Sequence, residues 1–373
     1  MPQLPARLAA YLSVVALGLV VACSGSAPSS TPQEGADPDA GPAGSNGASS
    51  SGASSGNSSG TTGASSGATT SSSSGSTGAT SSGSSSGTAG GASSGSSSSG
   101  SSGGSTSDGG TLWQPSASQP IHFHWMIGAR TFTTADILTG QAGQVVYDID
   151  GQGATSADVA AIHAAGAIAV CYVDVGSLEQ GRPDYSSFPT AVVGPVVQGW
   201  PGENWLLVTA ANQPTILPLM QARFQSWCAA KGFDAIEPDN LDGWTNITQI
   251  SEADNLAYDL AIGKMAHDMG LSIGLKNLMT DLDASQYPQF LAQFDWALNE
   301  QCYQYSECGA YTAAGSFIPA GKAVFDVEYS TSPDCSDATA AHMNAQLTDL
   351  DLVGATDSGY TYTPCVADSQ ASW

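Results

Sequence analysis

Basic residues are scarce in this chain: eight Lys and Arg stand against 33 Asp and Glu, a formal net charge of −25 over 373 residues. Nucleic acid is thereby excluded as a partner, because phosphate binding needs a basic footprint. No GxGxxG follows a strand-like run, nor does a GxxxxGK ending in Ser or Thr, so no nucleotide cofactor is expected. The GxSxG elbow of serine hydrolases is missing, and the five histidines lack HExxH spacing. No CxxC spacing points to a redox pair or a zinc ribbon.

Between Ser24 and Gly110 the chain is nearly all Ser, Gly, Ala and Thr, with almost nothing to bury. Such a stretch cannot fold alone and reads as a disordered linker, with an r.m.s. span on the order of 50 Å. Before it, residues 1–22 carry one positive charge at Arg7 and a short apolar run, as an export signal does. The run ends Val20, Val21, Ala22, Cys23, which resembles the bacterial lipobox and makes Cys23 the expected lipidated N-terminus. The expectation is an exported protein anchored by lipid to the bacterial cell envelope, most simply the outer membrane, with its folded part in the periplasm or outside the cell. The lipid is then its one membrane contact.

Residues 111–373 suffice for one large core and are short for two, so one domain is expected there. Six of the seven cysteines fall in it, and in an exported chain they read as disulfides. Cys302 and Cys308 are spaced for a local clasp, Cys335 with Cys365 ties down the C-terminal region, and Cys171 with Cys228 follows by elimination.

Short apolar segments that finish in polar or charged residues recur at 121–125, 145–150, 168–175, 234–239, 272–277, 295–300, 323–328 and 352–356. Helix-like runs at 157–165, 216–230, 252–269 and 338–350 lie between them, several closed by glycine at Gly166, Gly232 or Gly270. Eight strands alternating with helices predict an α/β fold, a single (β/α)8 TIM-type barrel, with a doubly wound sheet as the alternative.

In such a barrel the C-terminal strand ends converge on one mouth. Asp148, Asp150, Asp174, Glu237, Asp239, Lys276, Asn277, Asn299, Glu300 and Glu328 are then expected to ring one cleft. The densest acidic string is GFDAIEPDNLDGW, Gly232 to Trp244. An acid buried without a partner costs several kcal/mol, so acids crowding a strand end imply chemistry. Glycosidic cleavage needs two carboxyl groups flanking the scissile bond. Asp239 ends the fourth predicted strand and Glu300 the sixth, which sets them across the mouth and makes them the expected catalytic pair. Glu237, two residues before Asp239, shares its face and reads as a supporting acid below it.

These residues lie in strings that resemble glycoside hydrolase family 114, the endo-α-1,4-polygalactosaminidases: CYVDVGSLEQGRPD, GWPGENWLLV, KGFDAIEPDNLDGW, GLKNL, NEQCYQYSECGAY and GKAVFDVEY. The resemblance covers essentially the whole globular part. It implies a barrel hydrolase acting on α-1,4-linked galactosamine, with Asp239 as nucleophile and Glu300 as general acid/base. Substrate contacts are expected from Asp148, Asp174, Glu237, Asn240, Asp242, Trp244, Lys276, Asn277, Tyr303 and Glu328. Asp174 departs from the small or hydroxyl residue expected at its position, and an extra carboxylate there suits a protonated amino sugar.

Pyranose rings stack on flat side chains. Trp125, Tyr172, Trp244, Tyr303 and Tyr329 adjoin predicted strand ends, with Trp244 the preferred platform, and Trp200 and Trp205 are expected in a cleft wall. The expected partner is a galactosamine-rich polysaccharide, cationic where deacetylated, bound by a monomer. Two other readings stay open. One is a non-catalytic barrel lectin for cationic polysaccharide. The other is a metal-dependent deacetylase using His122 and His124, which alternate with Ile121 and Phe123 and are expected to point into the mouth. No third histidine lies nearby and the DIDG string from Asp148 is weak for calcium, so no metal is expected.

Overall fold

The computed structural model describes residues 112–128 and 131–373. The expected signal segment, Cys23 and the Ser/Gly linker lie outside the described residues. Twelve strands follow in chain order: β1 Ile121–Met126, β2 Gln144–Asp150, β3 Ile168–Asp174, β4 Ser177–Glu179, β5 Val193–Val196, β6 Glu203–Leu206, β7 Ala235–Asp239, β8 Ser272–Lys276, β9 Trp296–Glu300, β10 Val324–Glu328, β11 Asn344–Thr348 and β12 Tyr362–Pro364. The helices used below are α1 Ser156–Ala164, α2 Gln213–Arg223, α3 Gly243–Asn246, α4 Glu252–Asp268, α5 Tyr287–Gln293, α6 Cys302–Tyr305, α7 Gly309–Thr312 and α8 Cys335–Ala341. None of the described helices is long and apolar enough to cross a membrane.

One sheet runs β1-β2-β3-β7-β8-β9-β10-β11-β12, parallel throughout except for β12, which lies antiparallel on β11. Eight parallel strands with intervening helices form the nearly closed TIM-type barrel that the sequence predicts. At the seam the backbone N–H of Ile121 donates to Asn344 Oδ1 at 2.8 Å, and Asn344 Nδ2 reaches Val324 O. A second sheet, β4-β6-β5, fills the connection between β3 and β7.

The eighth barrel strand is residues 344–348, not 352–356. Helix α8 stops at Ala341, where His342 turns left-handed with φ 57°, and the chain re-enters the sheet. Asn344, Gln346 and Thr348 alternate along that strand, so it lacks the apolar run by which the other seven were read. Residues 352–356 instead strap the end of β1: Leu352 O accepts from Gly128, and Thr356 is held by Asp136.

Period-two alternation explains the barrel interior. Ile121, Phe123 and Trp125 of β1 point inward together with Val146, Val170, Ala235, Trp296, Leu298, Phe325 and Val327. Trp296 fills the axis because β8 carries Gly274, where a Cβ would sit 2.5 Å from the indole. Phe123 stacks on Phe325 at 4.4 Å, and Trp113 covers Trp296 at 5.9 Å. Continuing the alternation toward the C-terminal ends replaces apolar residues by Asp148, Tyr172, Asp174, Glu237, Asp239, Lys276 and Glu300. The outward residues pack with the helices in a second core that includes Val159, Ile162, Ile236 and Phe290.

Disulfides join Cys171 to Cys228, Cys302 to Cys308 and Cys335 to Cys365, the three pairs expected, the first of them by elimination. At the start of the strands a device occurs twice. Asp234, just before β7, accepts from His163 in the last turn of α1 and from Ala169 N. Asp295, just before β9, accepts from His267 in the last turn of α4 and from Ile273 N.

Burial alone would push the Asp295 carboxyl up, but the His267 hydrogen bond and charge, with Ile273 N and Gln114, hold it below the usual carboxylate range. A depressed folded value stabilises the fold above the unfolded value and loses that contribution as pH falls through the folded one. Asp295→Asn is therefore expected to lower the unfolding free energy by about 1.5–3 kcal/mol in urea titrations at neutral pH. The gap to the wild type should close as pH drops below about 4.

Candidate functional site

The inward side chains at the ends of β7, β8 and β9 meet on one ammonium group. Lys276 Nζ lies 3.2 Å from Glu237 Oε1, 3.0 Å from Asp239 Oδ1 and 3.2 Å from Glu300 Oε2. Its side chain is 3% exposed, against 23% for Asp239 and 11% for Glu300. The cation is thus roofed by two carboxylates that solvent can reach, while Glu237, with none of its surface exposed, lies below. Trp125 forms the floor: Nζ stands 4.6 Å from the indole centroid, and the indole N–H donates to Glu237 Oε2 at 2.7 Å.

Each upper carboxylate has further donors. The Tyr172 hydroxyl donates to Asp239 Oδ2 at 2.9 Å. Burial, then the Asp239 charge, push the Tyr172 phenol well up, so it stays a donor. Glu300 receives the Tyr329 hydroxyl on Oε1 and Asn277 Nδ2 on Oε2 at 2.8 Å. Asn277, left-handed at φ 55°, also accepts from Glu300 N at 2.8 Å, so one amide grips both ends of the residue. Two carboxylates, each with fixed donors and each open to the mouth, suit attack and proton transfer on a bond placed between them.

A family model supplies the class of enzyme, matching residues 105–368 to glycoside-hydrolase family GH114. The chain belongs to family GH114. The Aspergillus fumigatus Ega3 structure, a complex with galactosamine, is 28% identical with a TM-score of 0.55, covering 68% of this chain and 98% of Ega3. The glycoside hydrolase domain of PelA from Pseudomonas aeruginosa is 14% identical with a TM-score of 0.45, covering 62% of this chain and 95% of that domain. Comparison with curated proteins returns no match.

In this GH114 barrel the expected site residues divide. Asp239, Glu300, Lys276, Asn277 and Glu237 converge as described, with Asp148 fully buried beside Glu237. Burial, then the Glu237 charge, push the Asp148 carboxyl well above the usual range. Asp148 and Glu237 therefore lie under the mouth instead of facing substrate.

Glu328 turns outward, because its neighbour Val327 occupies the inward position of β10. Its Oε1 accepts the N–H groups of Tyr303 and Gln304 at the start of α6. Tyr303 leaves the mouth as well and lines an outer depression of about 520 Å³ with Thr312, Ile318, Asp337 and Met343. Trp244 is half-buried in the core between barrel and helices, its backbone N–H donating to Asn255 Oδ1. Asp242, just before α3, accepts from Asn246 Nδ2 at its end. Trp205 is buried; Trp200 stands 51% exposed.

His122 and His124 sit on the outer face of β1, since Ile121, Phe123 and Trp125 take the inner one. Tyr362 holds His122, and Gln141 holds His124 at 2.8 Å. The deacetylase reading loses its ligand pair to this parity. A compact group of Cys302, Cys308 and Asp326 has both sulfurs committed to a disulfide.

Asp174 braces the loop that opens the second sheet. Its Oδ1 accepts Gly176 N and Ser177 N at 3.1 and 2.7 Å, and its Oδ2 accepts Asn240 Nδ2 at 3.1 Å and the Ser177 hydroxyl. Gly176 is required there, because a Cβ would lie 1.7 Å from Asn240 O. Glu203 of β6, which nothing in the sequence singled out, joins the group 2.6 Å from Ser177 Oγ.

Burial, then Asp239, push Asp174 up to about 6; burial, then Asp174, push Glu203 up to about 8. An acid raised in the folded state favours folding less as pH climbs from its unfolded value to its folded one. Glu203→Gln is accordingly expected to raise the thermal midpoint by a few degrees at pH 8 and by less at pH 5, measured by circular dichroism. A larger gain at pH 5 would contradict the assignment.

Proposed function

We propose that the barrel is an endo-acting glycosidase that cleaves α-1,4-linked, galactosamine-containing polysaccharide by double displacement, with Asp239 as nucleophile and Glu300 as general acid/base. The observation that carries this reading is the shared contact with Lys276. Two oxygens at 3.0 and 3.2 Å from one nitrogen lie no more than about 6 Å apart, short of the roughly 6.5–9.5 Å that inverting enzymes need for an intervening water. GH114 membership and the galactosamine in the Ega3 complex support the substrate class.

The groups then act in order. Glu300, protonated, gives its proton to the glycosidic oxygen while Asp239 attacks C1, and the shortened polymer leaves with a new hydroxyl. Water next enters on the same face; Glu300 removes its proton, the oxygen bonds to C1 and the Asp239 ester bond breaks. The sugar leaves with its anomeric configuration retained. Tyr172 and Lys276 hold Asp239 in line, and Asn277 and Tyr329 keep Glu300 aimed at the leaving oxygen.

We place the enzyme outside the cytoplasm, lipidated at Cys23, held to the envelope, most simply the outer membrane, and working as a monomer on the end of its Ser/Gly tether. The excess of 33 acidic over eight basic residues suits a substrate whose amines are protonated.

Asp239→Asn and Glu300→Gln are each expected to lower kcat by about three orders of magnitude or more on partly deacetylated α-1,4-galactosaminogalactan, with folding and polymer binding retained. Near-normal turnover in either variant removes that residue from the mechanism. Proton NMR of fresh product should show the α hemiacetal before mutarotation; the β form first would rule out double displacement. For the wild type, KM should rise with salt and again as pH passes the amine's pKa. A KM indifferent to salt would leave the acidity with no part in recognition.

A further inference from the structure

Two carboxyl groups under the site have no part in bond cleavage. Asp148, from β2, and Glu237, from β7, are both 0% exposed, and the Glu237 charge bears directly on Asp148. Carboxylate oxygens only accept, so two that face one another in a buried place need a proton between them. The donors decide where it resides. Glu237 has the Trp125 indole N–H on Oε2 and the Lys276 ammonium beside Oε1. Asp148 has no donor on either oxygen among the described residues. Ionised, Asp148 would be a buried charge facing a second one; protonated, it has an acceptor in Glu237.

We propose that Asp148 is a carboxylic acid which donates its proton to Glu237, and that the pair is a positioning unit fixing the Lys276 ammonium between Asp239 and Glu300. The groups around that ammonium come from every neighbouring strand: Trp125 of β1, Asp148 of β2, Tyr172 and Asp174 of β3, Glu237 and Asp239 of β7, Asn277 after β8, Glu300 of β9 and Tyr329 after β10. Lys276 is the cation among them. With Asp148 neutral, the Glu237 anion balances it. Asp239 and Glu300 are then left to carry one negative charge and one proton, the state in which one attacks and the other donates. Without the Glu237 anion the unbalanced ammonium, 3.2 Å from Glu300, would favour ionised Glu300 and drain the general acid.

The kinetic consequence rests on the proposed roles of Asp239 and Glu300; the protonation of Asp148 does not, so the full-length chain is tested in two ways. Infrared difference spectra at pH 7, wild type minus Asp148→Asn, should show the carbonyl stretch of a protonated carboxyl lost in the variant. Its absence from the difference overturns the proposal, whether or not the protein cuts polymer. In kcat/KM against pH, Glu237→Gln should move the high-pH limb down by about one unit or more. Glu237→Asp should recover part of that shift, and Asp148→Asn, whose amide can still donate to Glu237, should move it far less. A limb that stays in place in Glu237→Gln overturns the positioning role. Each half has its own second variant: Asp148→Ala replaces Asp148→Asn in the infrared difference if the amide misfolds, and the limb of Glu237→Asp decides the positioning role if Glu237→Gln misfolds. If the wild type cuts no polymer, the hydrolase reading fails while the infrared result still stands.

Discussion

One buried ammonium organises the mouth of this barrel. Lys276 is nearly sealed from solvent, and a lone charge in that position would cost several kcal/mol. It is tolerated because Glu237, Asp239 and Glu300 close around it while Trp125 offers its electron-rich face below. The dependence runs the other way too. Three carboxylates on neighbouring strand ends would repel one another, and the shared cation lets β7, β8 and β9 converge. An apolar interior up to Leu298 and Val327 then gives way, one layer higher, to carboxyl groups, an ammonium and a phenol hydroxyl. The low dielectric beneath strengthens every interaction in the layer above.

Much of this was legible in the sequence because the barrel's parity is strict. Seven strands were read from apolar runs ending in charge, and residues two apart were placed on one face. That put Asp239, Glu237 and Lys276 together and set Glu300 across from them. The same rule, applied one residue further, separates Glu328 from the mouth: Phe325 and Val327 are inward, so Asp326 and Glu328 turn out to the helices. His122 and His124 are displaced by the same parity. A charged residue next to a strand end thus faces the mouth only when it shares the parity of the inward residues below it.

Other parts left no trace in the pattern. β11 is polar at alternate positions, so its strand character comes from the sheet it completes and not from its own composition. Glu203 reaches Ser177 and Asn240 from a small sheet formed by an insertion, and such contacts depend on the path of a connection that has no period to read. Tyr172 and Tyr329 were noted as flat surfaces for sugar, yet their hydroxyls are spent on Asp239 and Glu300. Side-chain type was visible; the partner was not.

The seam between β1 and β11 has a consequence of its own. Other neighbouring strands of the barrel are joined by backbone ladders, whereas here, among the described residues, the side chain of Asn344 spans the gap to Ile121. Thermal breathing of the cylinder concentrates at such a hinge line, where the fewest bonds must break. Lys276 and its carboxylates belong to β7, β8 and β9, on the opposite arc. Strand β1 nevertheless reaches that cluster through Trp125, so the wall that yields first is coupled to the charges by one indole.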